Sequence, residues 1–486
     1  MPDCPQSGIS HMNFSTDITA KAIYYNTHIK KMQPKTGKGE TMGQIPGDVQ
    51  TVLEKLTEAG HEAWCVGGCV RDLLRGYTPD DWDITTSALP EETMTVFGRR
   101  AIPTGLRHGT VTVRTNVRRV EVTTYRVDGD YADHRHPDSV TFTRSLEEDL
   151  KRRDFTVNAM ALGQDGSVRD PFGGRTDLDA GVLRCVGQPD QRFREDALRI
   201  LRGLRFAAVL DFALESATAE SIHESRDLLH DIAAERIRVE LTKLLLGQSV
   251  AKVLREFPDV IGVFIPEILP LVGFDQRNPH HCYDIWEHTI HSVEEVDRDV
   301  VLRMTMLLHD IGKPACFTQD ERGIGHFYGH PAESRAMAAE ILRRLRFDNE
   351  QKAAILTLVE QHDRGFPRTE KGIRRALRLL GEENLRRLLA VKRADNLAQA
   401  PAFQEENQRE IRRAEEIMEL LLQRRDCFTL KHLAVNGRDM MALGLTGPEI
   451  GQALTSLLDE VVEGNLPNDR LGLLEAAKRE METRRQ

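Results

Sequence analysis

"PDDWDITTS", residues 79–87, places three aspartates within four positions, beside Trp82 and Ile84. Successive side chains of a strand point to opposite faces, so residues i and i+2 share one. The alternation predicts a short strand, "DWDIT", with Trp82 and Ile84 packed inward and Asp81 and Asp83 projecting together on the other side. Two carboxylates a few ångströms apart repel unless a cation lies between them. A divalent ion satisfies both, and Mg²⁺ held by carboxylates plus substrate phosphates is the common solution.

Upstream, "VGGCVRD" (66–72) sets Gly67 and Gly68 between an apolar run, "AWCV", and a helix, "CVRDLLRG", that Gly76 ends. A double glycine lets backbone N–H groups approach phosphate oxygens. Arg71, in the first turns of that helix, can pair with phosphate. Downstream, "LPEETMTVF" reads as a helix with Pro90 in its first turn. "HGTVTVRT" and "RRVEVTTYRV" alternate with period two and form an expected hairpin around Asn116. From Glu195 onward nearly every segment has helical periodicity, as in "EDALRILRGLRFAAVL". The expected order is a mixed α/β head with a small mixed sheet, a helical neck, a helical insert and a helical tail.

Composition narrows the function classes. A chain of 486 residues has room for two to four domains. With 40% hydrophobic and 29% charged residues it is an ordinary globular sequence. The net charge of -10 argues against bulk attraction to nucleic acid or membrane, so RNA binding must come from local basic surface. Seven cysteines without a CxxC pair imply free thiols in a reducing compartment, hence a cytoplasmic protein. The richest apolar stretch, "VIGVFIPEILPLVGF" (260–274), is broken by Pro266, Glu267 and Pro270, so no membrane span is expected. Residues 1–44 lack periodicity and read as a disordered extension, with Met42 a plausible true beginning.

"VGGCVRD" followed by "DWDITT" resembles the polymerase-beta-like nucleotidyltransferases, and specifically the bacterial class II CCA-adding tRNA nucleotidyltransferases. The resemblance continues through "DGDYADHRHPDSVTF" (128–142), "EEDLKRRDFTVNAMAL" (147–162), "DPFGG" (170–174) and "RFREDALRILRGLRFAA" (192–208), and reaches "HLAVNGRDMMALGLTGPEIGQAL" (432–454). It covers nearly the whole chain from about residue 45. One departure is Asp80, where the family often has a basic residue. The resemblance implies transfer of a nucleotide from CTP or ATP to the 3′-hydroxyl of tRNA, with release of pyrophosphate. Asp81 and Asp83 would then hold Mg²⁺, Gly67, Gly68 and Arg71 the triphosphate, and Glu121, on a neighbouring expected strand, would be a candidate third carboxylate. Arg152 and Arg153 of "KRRDF" suit the incoming nucleotide, with Asp154 holding an arginine in place. The Asp-, Gly- and His-rich segment 128–142 reads as a mobile loop; in the family a loop here helps switch from C to A addition, and its full length favours complete CCA activity. A poly(A) polymerase relative is the alternative from the head motifs; the tail segment favours CCA addition.

Base choice has a direct chemical reading. Asp196 and Arg199 stand i and i+3 on an expected helix and so share a face. Cytosine and adenine both present an exocyclic amine beside a ring-nitrogen acceptor. A carboxylate accepting from the amine and a guanidinium donating to the ring nitrogen satisfy both bases. Guanine and uracil reverse the order and would leave buried groups unpaired. Arg202 and Arg205 continue that face and suit phosphate or base contact.

A second site is expected in the helical insert. "WEHTIHSV", "LLHDIGKP", "GHFYGHPAES", "VEQHD" and "KRADNLAQ" resemble the HD phosphohydrolase superfamily. The order His288, His309–Asp310, Asp395 matches its ligand pattern, and His330 and His362 match the added histidines of two-metal members. Imidazoles and carboxylates suit a second divalent or transition metal. In related CCA enzymes this domain is linked to phosphatase or cyclic-phosphodiesterase activity on RNA ends. His280, His281, His291 and His326 read as ordinary polar positions. A third reading, from another class, is an HD phosphohydrolase whose head only binds RNA; the intact Asp81 and Asp83 speak against it. The expected domains are a nucleotidyltransferase head at 45–175, a nucleotide-selecting and RNA-binding neck at 176–272, an HD metal domain at 273–400, and a tRNA-binding tail at 401–486. The basic stretch "IRRALRLLGEENLRRLLAVKR" (373–393) is the candidate RNA surface.

Overall fold

The computed structural model describes residues 44–129, 140–365 and 367–485, the side chains of 483–485 excepted. The extension expected over 1–44 (Gln44 apart) and most of the loop expected at 128–142 lie outside the described residues. The chain divides into two compact units, Met1–Ile232 and Ala233–Gln486. The division falls inside the segment expected as one neck.

The first unit is built on a seven-stranded sheet. Its strands are β1 (Ala63–Val66), β2 (Asp83–Thr86), β3 (Ala101–Gly105), β4 (Thr110–Arg114), β5 (Arg119–Thr124), β8 (Ala161–Leu162) and β9 (Val168–Arg169), in the order β3-β4-β5-β2-β1-β8-β9. The pair β2–β5 is parallel and the other pairings are antiparallel, so the sheet is mixed as expected. β6 (Arg126–Asp128) and β7 (Val140–Phe142) form a separate ladder. β-Branched runs such as "RVEVTT" suit a pleated surface, and the burial of β5 alternates with Val120, Val122 and Thr124 inside. The hairpin around Asn116 is β4–β5. The helices α1 (Gly47–Glu58), α2 (Gly68–Leu74), α3 (Pro90–Phe97) and α4 (Leu146–Lys151) accompany the sheet.

The aspartate strand keeps its expected parity but is shorter than the alternation implied. β2 begins at Asp83, and Asp81 stands in the bend before it. Trp82 is 2% exposed and Ile84 fully buried, while both aspartates face out. A second difference lies after Pro189. "EDALRILRGLR" is not one helix: α5 (Pro189–Glu195) ends before Asp196, whose backbone is extended (φ −139, ψ 102), and α6 (Leu198–Leu210) starts two residues on. The Asp196 carboxylate accepts from the Leu198 backbone N–H at 3.2 Å. Aspartate at a helix start satisfies an otherwise orphaned donor, and here that local bond wins over helix continuation.

The second unit is mainly helical. Its metal-type residues come from α7 (Ile285–Glu295), α8 (Val300–Leu308) and the residues just after it, α9 (His330–Arg344), the C-terminal end of α10 (Asn349–Gln361), and α11 (Glu370–Leu397). Two helical pieces of α11 meet at Gly381, whose φ of +75 an L side chain would resist. A buried apolar cluster runs from Ile373 and Leu377 through Leu421, Leu457 and Leu458 to Leu473 and Ala477, joining α11 to α12 (Gln404–Gln423), α13 (Pro448–Glu463) and α14 (Arg470–Arg485). The tail's core therefore begins on α11, ahead of the boundary expected at 401, because that one helix also carries Asp395. Among the described residues no helix is long and apolar enough to cross a membrane.

Candidate active sites

In the first unit the strand register sets the chemistry. Val66, Asp83 and Glu121 are paired positions across β1, β2 and β5. Paired residues on neighbouring strands share a face, so Glu121 stands beside Asp83. The turn between β1 and α2 holds Gly67 at φ 80, ψ −137. A Cβ built there would lie 3.4 Å from Arg153 Nη1 and 4.0 Å from Asp83 Oδ2, and one on Gly68 would lie 3.6 Å from Arg71 Nη2. Glycine turn, carboxylate and guanidinium thus meet in one place. Although the Asp83 side chain reaches solvent, the protein crowding its carboxyl raises its pKa first, and Glu121 and Asp81 add to this against the pull of Arg153. The result is a pKa of about 6.

The arginines are aimed by buried acids that the sequence reading did not single out. Asp149, in the first turn of α4, is fully buried. It accepts from Thr85 Oγ1 at 2.9 Å, from Arg152 at 2.9 and 2.7 Å, and from Arg153 at 3.3 Å. Burial alone would raise its pKa, but the two guanidinium groups outweigh that and lower it. Thr85 ties the arrangement to the strand that carries Asp83. Arg71 is 8% exposed, bidentate to Asp72 at 2.9 and 3.0 Å, and donates to Asn158 Oδ1 at 2.7 Å.

Around α6, Arg199 is buried and donates to Glu195 Oε2 at 2.6 Å and to the backbone oxygens of Arg192 and Arg152 at 3.1 and 3.0 Å. The expectation that Asp196 and Arg199 share one helical face is therefore corrected: they flank a corner between two helices, joined by the Arg199 N–H to Asp196 carbonyl bond of 2.9 Å. Asp154 holds Arg202 at 2.8 and 2.5 Å, the arginine-holding role read for it. Burial works against the Asp154 charge, yet Arg202 and Arg199 bring its pKa down to about 2. Phe206 gathers three guanidinium groups, Arg205 at 3.9 Å, Arg71 at 5.3 Å and Arg202 at 5.4 Å from the ring centre.

The second unit brings all six expected ligands together. His288, His309 and Asp395 form one group; Asp310, His330 and His362 form another. Asp310 joins them: Oδ2 is 3.2 Å from His309 Nε2 and 3.4 Å from His288 Nε2, and Oδ1 is 3.3 Å from His330 Nε2 and 3.5 Å from His362 Nε2. Each histidine meets a backbone oxygen through Nδ1: His288 with Ala398 at 3.1 Å, His309 with Met306 at 2.7 Å, His330 with Phe327 at 2.9 Å and His362 with Val359 at 2.7 Å. A carbonyl only accepts, so Nδ1 carries the proton and four Nε2 atoms are left to face one another. Burial opposes a charge on His309, but Asp310 and Asp395 outweigh it and raise its pKa. Lys313, missed in the sequence reading, forms an ion pair with Asp310 Oδ2 at 2.6 Å and donates to Gln276 Oε1 at 3.0 Å. Its position three residues after Asp310 was the available signal. His281, read as an ordinary position, packs edge-on against His288 at 5.3 Å, and burial first, then Lys313, pushes its pKa down to about 3.

The basic stretch 373–393 differs from its expectation. Arg374 pairs with Asp426 at 3.2 Å, Arg378 with Asp459 at 3.4 Å, Arg386 with Glu382 at 2.9 Å and Arg387 with Glu383 at 2.7 Å, while Arg375 and Arg393 pair with Glu463 and Glu415. Four acids distant in sequence and two from the same helix pair with what looks like a basic helix when read alone.

Comparison with known proteins follows this geometry. Residues 63–184 match the family described as Poly A polymerase head domain, 211–259 the probable RNA and SrmB-binding site of polymerase A, and 320–477 the putative tRNA nucleotidyltransferase domain 2. The CCA-adding enzyme of Lactiplantibacillus plantarum is 34% identical over 450 residues, 90% of this chain and 97% of that one. The CCA-adding enzyme of Limosilactobacillus reuteri is 51% identical over 206 residues, 42% of this chain and 51% of that one, so over this stretch the chain spans about half the length of the relative. The crystal structure of the Bacillus stearothermophilus CCA-adding enzyme in complex with CTP is matched with a TM-score of 0.68 and 30% identity, over 90% of this chain and 98% of that one.

Proposed function

The chain belongs to the family of CCA-adding enzymes, and from that premise we propose that it adds or repairs the 3′-terminal CCA of tRNA from CTP and ATP without a nucleic-acid template. The observation that carries the reading is Asp83 set beside Glu121 in register, with Gly67 and Arg153 against it. An all-oxygen carboxylate set of this kind fits a hard cation. Asp81 and Asp83 would hold Mg²⁺, with Glu121 the third carboxylate; such an ion, when bound, neutralises triphosphate charge and lowers the pKa of the attacking hydroxyl. The chain's own residues do the rest. Gly67 and Gly68 leave room for phosphate, and Arg71, Arg152 and Arg153 offer it positive charge. Asp196 and Arg199 select cytosine and adenine, with Arg202 and Arg205 beside them on α6. Pyrophosphate leaves as the tRNA 3′-oxygen joins the α-phosphorus. Free buried thiols at Cys65, Cys69 and Cys185 suit a cytoplasmic protein.

Incubation of the purified chain with tRNA lacking its 3′ end and each labelled nucleotide tests this. Two C additions and one A are expected; long A runs would instead indicate a poly(A) polymerase. No incorporation with CTP and ATP together refutes the reading.

A second activity is supported by the histidine centre. Four imidazoles with fixed tautomers, the buried Asp310 and the half-buried Asp395 fit two transition-type cations, with Asp310 facing both groups. Such cations would supply an activated water for hydrolysis of a phosphate ester. Lys313 neutralises Asp310 from the side, and the donor set suits phosphatase or cyclic-phosphodiesterase action on RNA ends. Phosphate release from a 3′-phosphorylated oligoribonucleotide, lost in Asp310→Ala, is expected; equal release by that variant refutes it.

A further inference from the structure

We propose that Tyr283 and Tyr328 are nucleobase platforms that seat the terminal nucleotides of a single-stranded RNA end at the histidine centre; the proposal rests on the phosphohydrolase reading above. Tyr328 is 77% exposed, yet its ring is held flat on His326, 5.2 Å between centres and 10° between planes. His326 Nε2 lies 3.2 Å from Asp320 Oδ2, and its Nδ1 lies 3.4 Å from the Tyr328 hydroxyl. With the Nε2 proton donated to Asp320, Nδ1 accepts from the phenol, so the three groups lock one another. Tyr283, 38% exposed, lies stacked on His291 at 4.4 Å and 24°. His291 Nε2 is 3.2 Å from Glu287 Oε1, and Glu287 is itself bonded to Arg255 at 3.0 Å. The same assembly of exposed ring, imidazole backing and carboxylate anchor thus occurs twice.

Each copy adjoins one ligand group. Tyr328 precedes His330 by two residues, which places their Cα atoms at most about 7.6 Å apart, and His330 belongs with Asp310 and His362. His291 follows His288 by three residues on α7, a rise of about 4.5 Å, and His288 belongs with His309 and Asp395. Each ligand group thus has one platform close to it in the chain. An exposed aromatic face kept in one orientation costs a ligand no ordering of the ring. Every base has a π face, so stacking of this kind accepts any sequence, as an end-repair activity on RNA requires.

The test uses the full metal-loaded chain and a fluorescein-labelled single-stranded hexaribonucleotide with a 3′-hydroxyl, the product of phosphate removal, so that nothing turns over. Tyr328→Ala and Tyr283→Ala should each weaken binding by roughly fivefold to a hundredfold, and Tyr→Phe or Tyr→Trp should restore it, because stacking needs the ring and not the hydroxyl. Release of phosphate from ribose 5-phosphate, an ester without a base, and CCA addition to tRNA should be unchanged in both alanine variants. Binding that stays within about twofold of the parent in both alanine variants overturns the platforms, whatever the phosphatase result. Ring-dependent strand binding by a chain that releases no phosphate from any ester leaves the platforms standing and removes the hydrolase reading instead.

Discussion

Asp83→Asn should abolish nucleotide transfer and yet make the metal-free protein more stable above pH 7. The folded-state pKa of Asp83 is raised from 3.8 to about 6 by crowding of its carboxyl and by Glu121 and Asp81. A raised acid pKa means that ionisation costs the folded state more than the unfolded one. The cost is absent below pH 3.8, grows between 3.8 and 6, and is complete above 6. Taken at face value the shift corresponds to ~3 kcal/mol, but the side chain reaches solvent, and screening brings the expectation to ~1 kcal/mol. In a unit of this size that is a rise of about 2–4 °C in Tm. Thermal unfolding of parent and variant in EDTA at pH 7.5 and pH 5 measures it, and the gain at pH 5 should be about half that at pH 7.5. Addition of Mg²⁺ should then stabilise the parent and leave the variant unmoved, since an ion that binds only the folded state adds stability by mass action. A variant less stable than the parent at pH 7.5, or a gain equal at both pH values, would refute the view that crowding and the neighbouring acids penalise a charge on Asp83 until a cation binds.

Further outcomes can be checked with the same full chain. Gly67→Ala forces a side chain into a glycine-only backbone region 3.4 Å from Arg153 Nη1, and should cost about 1–3 kcal/mol of stability together with most of the incorporation activity. Asp149→Asn keeps the shape but removes the charge that aims Arg152 and Arg153; KM for CTP and ATP should rise about tenfold, more than kcat falls, in steady-state assays. Asp196→Ala should admit UTP and GTP while pyrophosphate release stays measurable, and unchanged selectivity in competition assays would end its assignment to base choice. Asp310→Ala, which removes the carboxylate facing both ligand groups, should lower bound transition metal measured after dialysis by about two ions per chain, with CCA addition retained.

What the sequence disclosed follows physical range. Trp82 inside and Asp83 outside come from strand parity, which is a property of adjacent residues, and the hairpin around Asn116 is equally local. The pairing of Asp83 with Glu121 is not local: it depends on β2 lying between β1 and β5, and nothing in "DWDIT" or "RRVEVTTYRV" specifies that order. That six residues spanning 288 to 395 come together was legible in the sequence, because each cluster carries a residue type that is seldom placed in a core without cause. Lys313 and Asp149 were passed over for the opposite reason: a lysine or aspartate in a helical run normally faces water, and only the folded structure puts Asp149 under two arginines and Thr85.

The corner at Asp196 shows where a local rule was available and lost to another. Periodicity across "EDALRILRGLR" is unbroken, and its one glycine, Gly203, lies seven residues beyond Asp196 inside the second helix. Aspartate, however, is among the strongest helix-starting residues, and its carboxylate on the Leu198 N–H stops one helix and begins the next. The consequence reaches the proposed chemistry. On one continuous helix Asp196 and Arg199 would stand a fixed turn apart, whereas at a corner their separation follows the angle between α5 and α6. That angle is braced by Arg199 itself, which ties Glu195 and the Arg192 carbonyl on α5 to the Arg152 carbonyl beyond α4. The guanidinium assigned to base choice is also the strut that fixes where the partner carboxylate stands. Selectivity in this chain should therefore be more sensitive to Glu195 than a helical-face reading implies.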